Sequence, residues 1–412
     1  MKKILIFLFV GLQIKAYSQN IQTRISGEIV GRNNQEIMIV PITEDFNNIT
    51  INYQGVFIPI ENNKFEYTLR ANHVEAYYLI FKKEADSGGF MMRMFFNDST
   101  QITARIYPDS IYYKNHFIGG KLNQNLHKHK YRFDQALQPL GLIRDSLYNA
   151  DQYYAPEYLG LKDDIKRAKN KELKDSLIAK RNLLRESKEM YLPFARRVEI
   201  QNDSIWKSLK EWQEDYINNN DDILAYSWLY QKFEYMEELD PVAVKNFNRM
   251  AEKHPEHPYT DIINEKINVL NTIKLGGSYV DCTALNADGD SVKISDFVKG
   301  KLAFINLWAT WCGPCRAKGI SMIPVYEKYK DKGFTVLGIA GVHKMEHYHK
   351  AIKKDNYPWP NLIEFNNQNK IWFKYNVEGS GGDSFLIDAT GKILAISPKA
   401  DEVEEILNKV LN

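Results

Sequence analysis

Hydrophobic positions follow three successive regimes along the chain. Between Ile21 and about Phe117, apolar and polar residues alternate in short runs. Residues 23–31, 36–40, 49–53, 65–69 and 76–81 are rich in β-branched and aromatic side chains, and Asn33-Asn34, Asn47-Asn48, Asn62-Asn63 and Gly88-Gly89 punctuate them. Short strands with polar turns at this spacing predict an antiparallel sandwich or barrel. Nothing here has the spacing of a catalytic motif, so Tyr77, Tyr78, Phe95 and Phe96 are assigned to core and sheet-face packing.

From Leu122 to about Leu270 apolar residues instead recur three and four apart within charged stretches. Leu161, Ile165, Leu173, Leu177, Leu183 and Leu184 set the pattern, and Ile205, Leu209, Trp212 and Ile217 continue it. This period predicts several amphipathic helices. Residues 218–222 (Asn-Asn-Asn-Asp-Asp) and 254–258 (His-Pro-Glu-His-Pro) break them, the first with carboxylates suited to capping the next helix. His127 and His129 have no convergent partners that would make them metal ligands.

After Gly276-Gly277 strands and helices alternate. Residues 278–285 and 291–294 read as strands around the turn 286–290, residues 302–308 as a buried strand, and residues 312–330 as a helix. A second apolar strand at 334–340, a helix at 345–354, a hairpin at 384–387 and 393–396, and a final helix at 402–411 complete a small α/β domain.

Composition narrows the function classes. At 412 residues, 44% hydrophobic and 26% charged, the chain suits a multidomain globular protein. Its 54 basic and 52 acidic side chains leave a formal +2, too little for nucleic-acid binding through bulk charge. Three cysteines exclude a disulfide-stapled scaffold. Residues 1–18 carry Lys2 and Lys3, then an apolar run from Ile4 to Val10, then Ala16-Tyr17-Ser18, the order of a secretory signal peptide. The apolar run is shorter than the roughly 20 residues of a spanning helix, although an uncleaved leader acting as an anchor is the alternative. Cleavage after Ser18 removes Lys2, Lys3 and Lys15 and no acids, taking the formal charge from +2 to −1. The expected organisation is signal peptide 1–18, β-rich domain 19–118, helical region 119–272 and α/β domain 273–412.

The candidate chemistry lies at Trp311-Cys312-Gly313-Pro314-Cys315, where a buried strand turns into a helix. At this spacing the second thiol stands about one helical turn beyond the first, within reach of a disulfide. The first sulfur meets the unpaired N–H groups of the helix start, which favour thiolate. Cys312 is therefore assigned as nucleophile, and Cys315, expected to be the more buried sulfur, as the resolving thiol. Gly313 permits close approach of a substrate chain, and Pro314 suits an early helical position. A zinc site would need two further ligands, for which only Cys282 and one of His343, His347 or His349 are near in sequence. A purely structural disulfide closing so short a loop would constrain little.

Lys299-Gly300-Lys301 through Cys315, Gly333-Phe334, Tyr357-Pro358-Trp359-Pro360, and Phe385-Leu386-Ile387-Asp388 with Gly391-Lys392 resemble the TlpA/ResA-type secreted thioredoxins over residues 273–412. Ile25-Ser26-Gly27 with the following strands, then Gly119-Gly120-Lys121-Leu122-Asn123, more loosely resembles the β-rich domain that precedes such thioredoxins in Bacteroidetes-type bacteria. The resemblance implies a multidomain chain: a C-terminal thioredoxin fold preceded by a β-sandwich-like domain and a helical region. It also implies periplasmic thiol–disulfide exchange with protein thiols, often as a reductant recharged by a membrane-bound donor; from charge and ligand spacing no nucleic acid or metal is expected, nor any cofactor.

The chain departs from that family at three places. Asn306 stands where thioredoxins keep a buried aspartate, and Lys318 where secreted relatives often place a glutamate. Lys318 cannot serve as a carboxylate; it either favours the thiolate electrostatically or is a plain surface lysine. The family's cis-proline is absent from residues 378–384 (Glu-Gly-Ser-Gly-Gly-Asp-Ser), with Gly382 at its place, so a trans, flexible loop is expected. Asp383 would add negative charge beside the thiols. Cys282 is assigned as a buried thiol. Cys312 lacks the threonine and proline placement of peroxide-reducing cysteines. The expected function is an exported thiol–disulfide oxidoreductase, with Trp311, Gly313, Pro314, Lys318 and Gly382 supporting the two cysteines. The alternatives are a binding or assembly protein on a degenerate thioredoxin fold and, third, a copper-handling protein.

Overall fold

A computed structural model describes residues 21–411 apart from 34, 45–48, 50–54 and 379. The leader 1–18 and most of the expected strand 49–53 lie outside the described residues. The chain divides into two compact units, Met1–Ser227 and Trp228–Asn412.

In the first unit, strands β1 (Ile21–Ile29), β2 (Glu36–Pro41), β3 (Ile58–Pro59), β4 (Lys64–Ala71) and β5 (Ala76–Phe81) precede a short helix α1 (Lys82–Asp86). β6 (Arg93–Phe96), β7 (Gln101–Ile106) and β8 (His116–Ile118) follow. They form two four-stranded sheets, β4-β1-β7-β8 and β3-β2-β5-β6. Ile25 and Ile29 from one sheet, and Ile37, Leu79 and Phe81 from the other, share one core. That is the sandwich the alternation predicts, except that β1 and β7 pair in parallel where antiparallel strands are expected; β7 shows the cause of the alternation, its successive residues pointing alternately to solvent and to the core. Tyr77, Tyr78, Phe95 and Phe96 are all buried. The helices α2 (Lys121–Asn149), α3 (Pro156–Arg167), α4 (Lys171–Glu186) and α5 (Pro193–Asn219) complete this unit. The Asn123 amide at the start of α2 exchanges two hydrogen bonds with the Phe96 backbone, both 2.8 Å, which fixes the helix to β6.

The expected break after α5 is present. Helix α6 (Ile223–Glu234), within which the two units divide, is capped by the Asp222 carboxylate accepting from the Ala225 N–H at 2.9 Å. α7 (Pro241–Lys253) and α8 (Pro258–Thr272) follow, separated by the His-Pro break. The remaining elements are β9 (Thr283–Leu285), β10 (Ser291–Lys293), α9 (Ser295–Val298), β11 (Leu302–Ala309), α10 (Gly313–Tyr329) and β12 (Phe334–Val342). α11 (Met345–Asp355), β13 (Asn361–Phe365), α12 (Ile371–Lys374), β14 (Ser384–Ile387), β15 (Ile393–Ile396) and α13 (Ala400–Val410) close the chain. The strand expected from residue 278 is shorter than its apolar run and begins at Thr283, residues 278–282 holding an isolated bridge, Ser278 to Lys392, and single backbone bonds such as Ile294 N–H to the Cys282 carbonyl rather than a ladder.

These strands build one seven-stranded sheet, ordered β10-β9-β13-β12-β11-β14-β15. β11, β12 and β13 are parallel and β14 and β15 antiparallel to their neighbours. All eight residues of β11 are buried, as a strand covered on both faces requires. This is a thioredoxin-like sheet with its helix α10 rising from the end of β11. Val269 on α8 and Ile273 belong to the same core as Cys282, Ile305, Leu337 and Phe385.

Candidate active site

Cys312 is the N-cap residue of α10, and its Sγ accepts a hydrogen bond from the Cys315 backbone N–H at 3.2 Å. Pro314 occupies the first helical turn, where its missing N–H leaves nothing unsatisfied. The two cysteines are joined as a disulfide with Cα atoms 5.4 Å apart. Trp311 is 70% exposed beside them, and Gly313 and Pro314 are exposed on the same turn.

The relative burial of the two sulfur residues reverses the sequence expectation. Cys312 is buried, whereas Cys315 is half-buried. The cause is the loop opposite. Gly381 lies so close that a Cβ there would sit 2.5 Å from Cys312 Sγ and 3.1 Å from Cys315 Sγ. Gly382 has φ +130° and its missing side chain leaves room for the Leu307 carbonyl. No peptide bond among the described residues is cis. Gly381, one residue before the expected Gly382, is thus the position that abuts the disulfide.

Cys315 instead borders a cavity of about 460 Å³. Asn306, Pro314, Lys318, Gly382 and Asp383 line it, as do Glu234 to Glu237 and Lys266. Lys318 is not a plain surface lysine. Its Nζ donates to Ser397 Oγ at 2.9 Å and Ser384 Oγ at 3.0 Å, and stands 3.6 Å from Asp383 Oδ1. The negative charge expected of Asp383 is therefore paired locally. Lys266, buried, donates to the Glu234 carbonyl at 3.2 Å and lies 3.8 Å from Glu378 Oε2. Burial pulls its ammonium below the ordinary lysine value, against the opposing effect of Glu378 and Glu234.

Residues without a motif of their own hold the first turn of α10. Arg316 binds Asp355 with both ends of its guanidinium, Nε to Oδ2 at 2.6 Å and Nη2 to Oδ1 at 2.7 Å. Tyr357 Oη donates to Asp355 Oδ2 at 3.1 Å and to the Arg316 carbonyl at 3.2 Å. Burial raises the Asp355 carboxyl, but the Arg316 bonds and charge outweigh it and hold the group below the ordinary carboxylate value. In the sequence only the Tyr-Pro-Trp-Pro run hints at this clamp; the pairing of Arg316 with Asp355 across 39 residues leaves no local signal.

Cys282 is an unpaired, buried thiol, pushed up to about 11 chiefly by burial. His343 contacts Asn366 Oδ1 at 3.2 Å. Among the described residues no three His, Cys, Asp or Glu side chains converge as a metal site.

Similarity to known proteins matches this geometry. Residues 275–396 match the AhpC/TSA family. A thiol-disulfide oxidoreductase ResA of Bacillus cereus is 30% identical over 122 residues, covering 30% of this chain and 68% of that protein. ResA of Geobacillus kaustophilus is 30% identical over 139 residues, covering 34% and 75%. Among solved structures, the thioredoxin domain of a Bacteroides vulgatus thiol-disulfide oxidoreductase is 27% identical, covering 34% of this chain and 99% of that one, with TM-score 0.31. A thiol:disulfide interchange protein from Bacteroides sp. is 27% identical, covering 34% and 92%, with TM-score 0.32. Scores this low add nothing to the assignment, which rests on the sequence matches and the strand order. With a thioredoxin-like sheet, a helix-capping cysteine pair and two-thirds of ResA covered at 30% identity, the chain belongs to the ResA family of thiol-disulfide oxidoreductases.

Proposed function

We propose that Cys312 attacks and Cys315 resolves in an exported reductase of protein disulfides. The observation that carries the reading is the placement of Cys312 Sγ at the N-cap of α10, accepting the Cys315 N–H. A sulfur there is favoured as thiolate by the helix start, and only the thiolate is nucleophilic. In the dithiol form, Cys312 S⁻ attacks a client disulfide, forming a mixed disulfide and releasing one client thiolate, which takes up a proton. Cys315, deprotonated, then attacks Cys312 Sγ, closes the internal disulfide and releases the second client thiolate. Two electrons pass from the pair to the client, and a membrane-bound donor dithiol restores the reduced pair by the reverse exchange. Trp311, Gly313 and Pro314 frame the attacking sulfur, Gly381 brings backbone against it while Gly382 packs on the Leu307 carbonyl, and Lys318 with Asp383 sets the local charge at Cys315.

Export and a periplasmic location rest on the order of charged, apolar and small residues in 1–18. Among the described residues no helix is long and apolar enough to cross a membrane. Fractionation with N-terminal mass spectrometry is expected to find the mature chain beginning at Gln19; retention of residues 1–18 on membrane-bound protein overturns cleavage.

The experiment for the exchange itself is a thiol-trapping titration against glutathione and dithiothreitol buffers. Cys312 and Cys315 are expected to interconvert together, and a Cys315→Ser variant to accumulate a client mixed disulfide on Cys312. A pair that never interconverts sinks the proposal. Direction is read in cells by the same trapping: a mostly dithiol pair supports a reductase, and a mostly disulfide pair overturns it.

A further inference from the structure

The cavity beside Cys315 is built partly by residues outside the segment that resembles ResA. Its lining includes four carboxylates, Glu234, Glu237, Glu378 and Asp383, and two ammonium groups, Lys266 and Lys318. Glu234, Glu237 and Lys266 precede residue 275, where the family match begins. Both ammonium groups are tied to the walls, Lys318 by Ser384, Ser397 and Asp383, and Lys266 by the Glu234 carbonyl and Glu378. The lining thus carries two more carboxylates than ammonium groups.

We propose that this cavity is a specificity subsite that takes a lysine or arginine side chain adjacent to the client's reacting cysteine. The proposal rests on the reading of Cys312 and Cys315 as the exchanging pair. A client must lie against the disulfide to react, and the cavity begins at Cys315, Pro314 and Gly382, one residue from Gly381, the loop position against the sulfurs. Its volume, about 460 Å³, is within the range of small-ligand pockets and larger than one long side chain. A concave surface with excess negative charge attracts a cation more strongly than a flat one, because the protein walls focus the field. Tyr235, 74% exposed and also lining the cavity, offers a ring face on which a guanidinium or ammonium gains further attraction. The charge selects among clients through association rate, so preference is expected to weaken with salt.

The test uses the full-length reduced protein and three cystine peptides of one length, with lysine, alanine or glutamate beside the cystine. Each rate of client reduction is divided by the rate at which dithiothreitol reduces the same peptide, which removes the intrinsic reactivity of the disulfide. The expected order is lysine, alanine, glutamate, with a lysine-to-glutamate ratio of about tenfold at low salt that shrinks severalfold in roughly 0.5 M sodium chloride. In the double variant Glu234→Gln, Glu237→Gln the ratio is expected to fall toward one. Equal normalised rates, or faster reduction of the glutamate peptide, with exchange intact overturn the subsite and leave the oxidoreductase reading standing. Failure of every peptide and of dithiothreitol to exchange with the protein overturns that reading itself. The salt series on the unsubstituted protein keeps the test decisive if the double variant folds poorly.

Discussion

Cys282 and Asp355 illustrate how burial can silence one side chain and recruit another. The Cys282 thiol is buried and pushed up to about 11, so little thiolate exists near neutral pH and reagent cannot reach it. Alkylation of the native oxidised protein is expected to label no cysteine, and alkylation in denaturant one, counted by intact mass. Asp355 is held below its ordinary value of 3.8 because Arg316 binds its ionised form. A carboxyl whose value is lower when folded stabilises the fold above its unfolded value and loses that contribution as pH falls through the native one. Asp355→Asn is therefore expected to cost about 2 kcal/mol at neutral pH, for loss of charge-assisted bonds to a partly exposed arginine. In urea unfolding, the gap between variant and parent should close as pH drops below the carboxylate range. A gap independent of pH would mean that the charge contributes nothing.

At the scale of elements, the site is a helix start facing a loop. The helix side is legible in the sequence because its chemistry is local: Cys312, Pro314 and Cys315 sit within one turn, and the cap geometry needs no distant partner. The loop side is legible only in outline. That the segment entering β14 faces the sulfurs follows from the family resemblance, but which glycine touches them depends on how the chain leaves α12 and enters β14. Gly381→Ala tests this contact. The added methyl overlaps Cys312 Cβ and Sγ, and the opposing backbone must shift to relieve it. Client exchange is expected to slow at least tenfold while urea stability changes little, since the loop carries none of the sheet core. Unchanged exchange would show that the loop yields at no cost. For Lys318 the sequence leaves thiolate support and solvent exposure equally open, because its partner Ser397 lies 79 residues away. Sequence spacing carries no trace of such a pair.

For the whole chain, the three regimes of hydrophobic pattern correspond to real differences in architecture: paired sheets, then helices, then a mixed sheet. Periodicity reports which face of an element is buried, so it locates elements well. It does not report which element covers which, and so gives no hint that α8 supplies Val269 to the core of the thioredoxin-like sheet. A consequence follows for fragments. One beginning at Asp222 keeps that helix, whereas one beginning at Ser278 exposes the surface that Val269 and Ile273 cover. The shorter fragment is expected to be less stable by about 3 kcal/mol, from two buried aliphatic side chains lost, and urea midpoints of the two fragments measure it. Equal midpoints would show the helix to be dispensable.

The origin of the wall at residues 234–237 has a further consequence for how such enzymes diversify. The sulfurs and their helix cap belong to the segment that matches the AhpC/TSA family, whereas part of the cavity wall lies before it. On the subsite proposed above, chemistry and part of the address are encoded in separate stretches of one chain. A paralogue could change clientele by altering a short turn and leave its redox machinery untouched, and a protein engineer could do the same by grafting that turn.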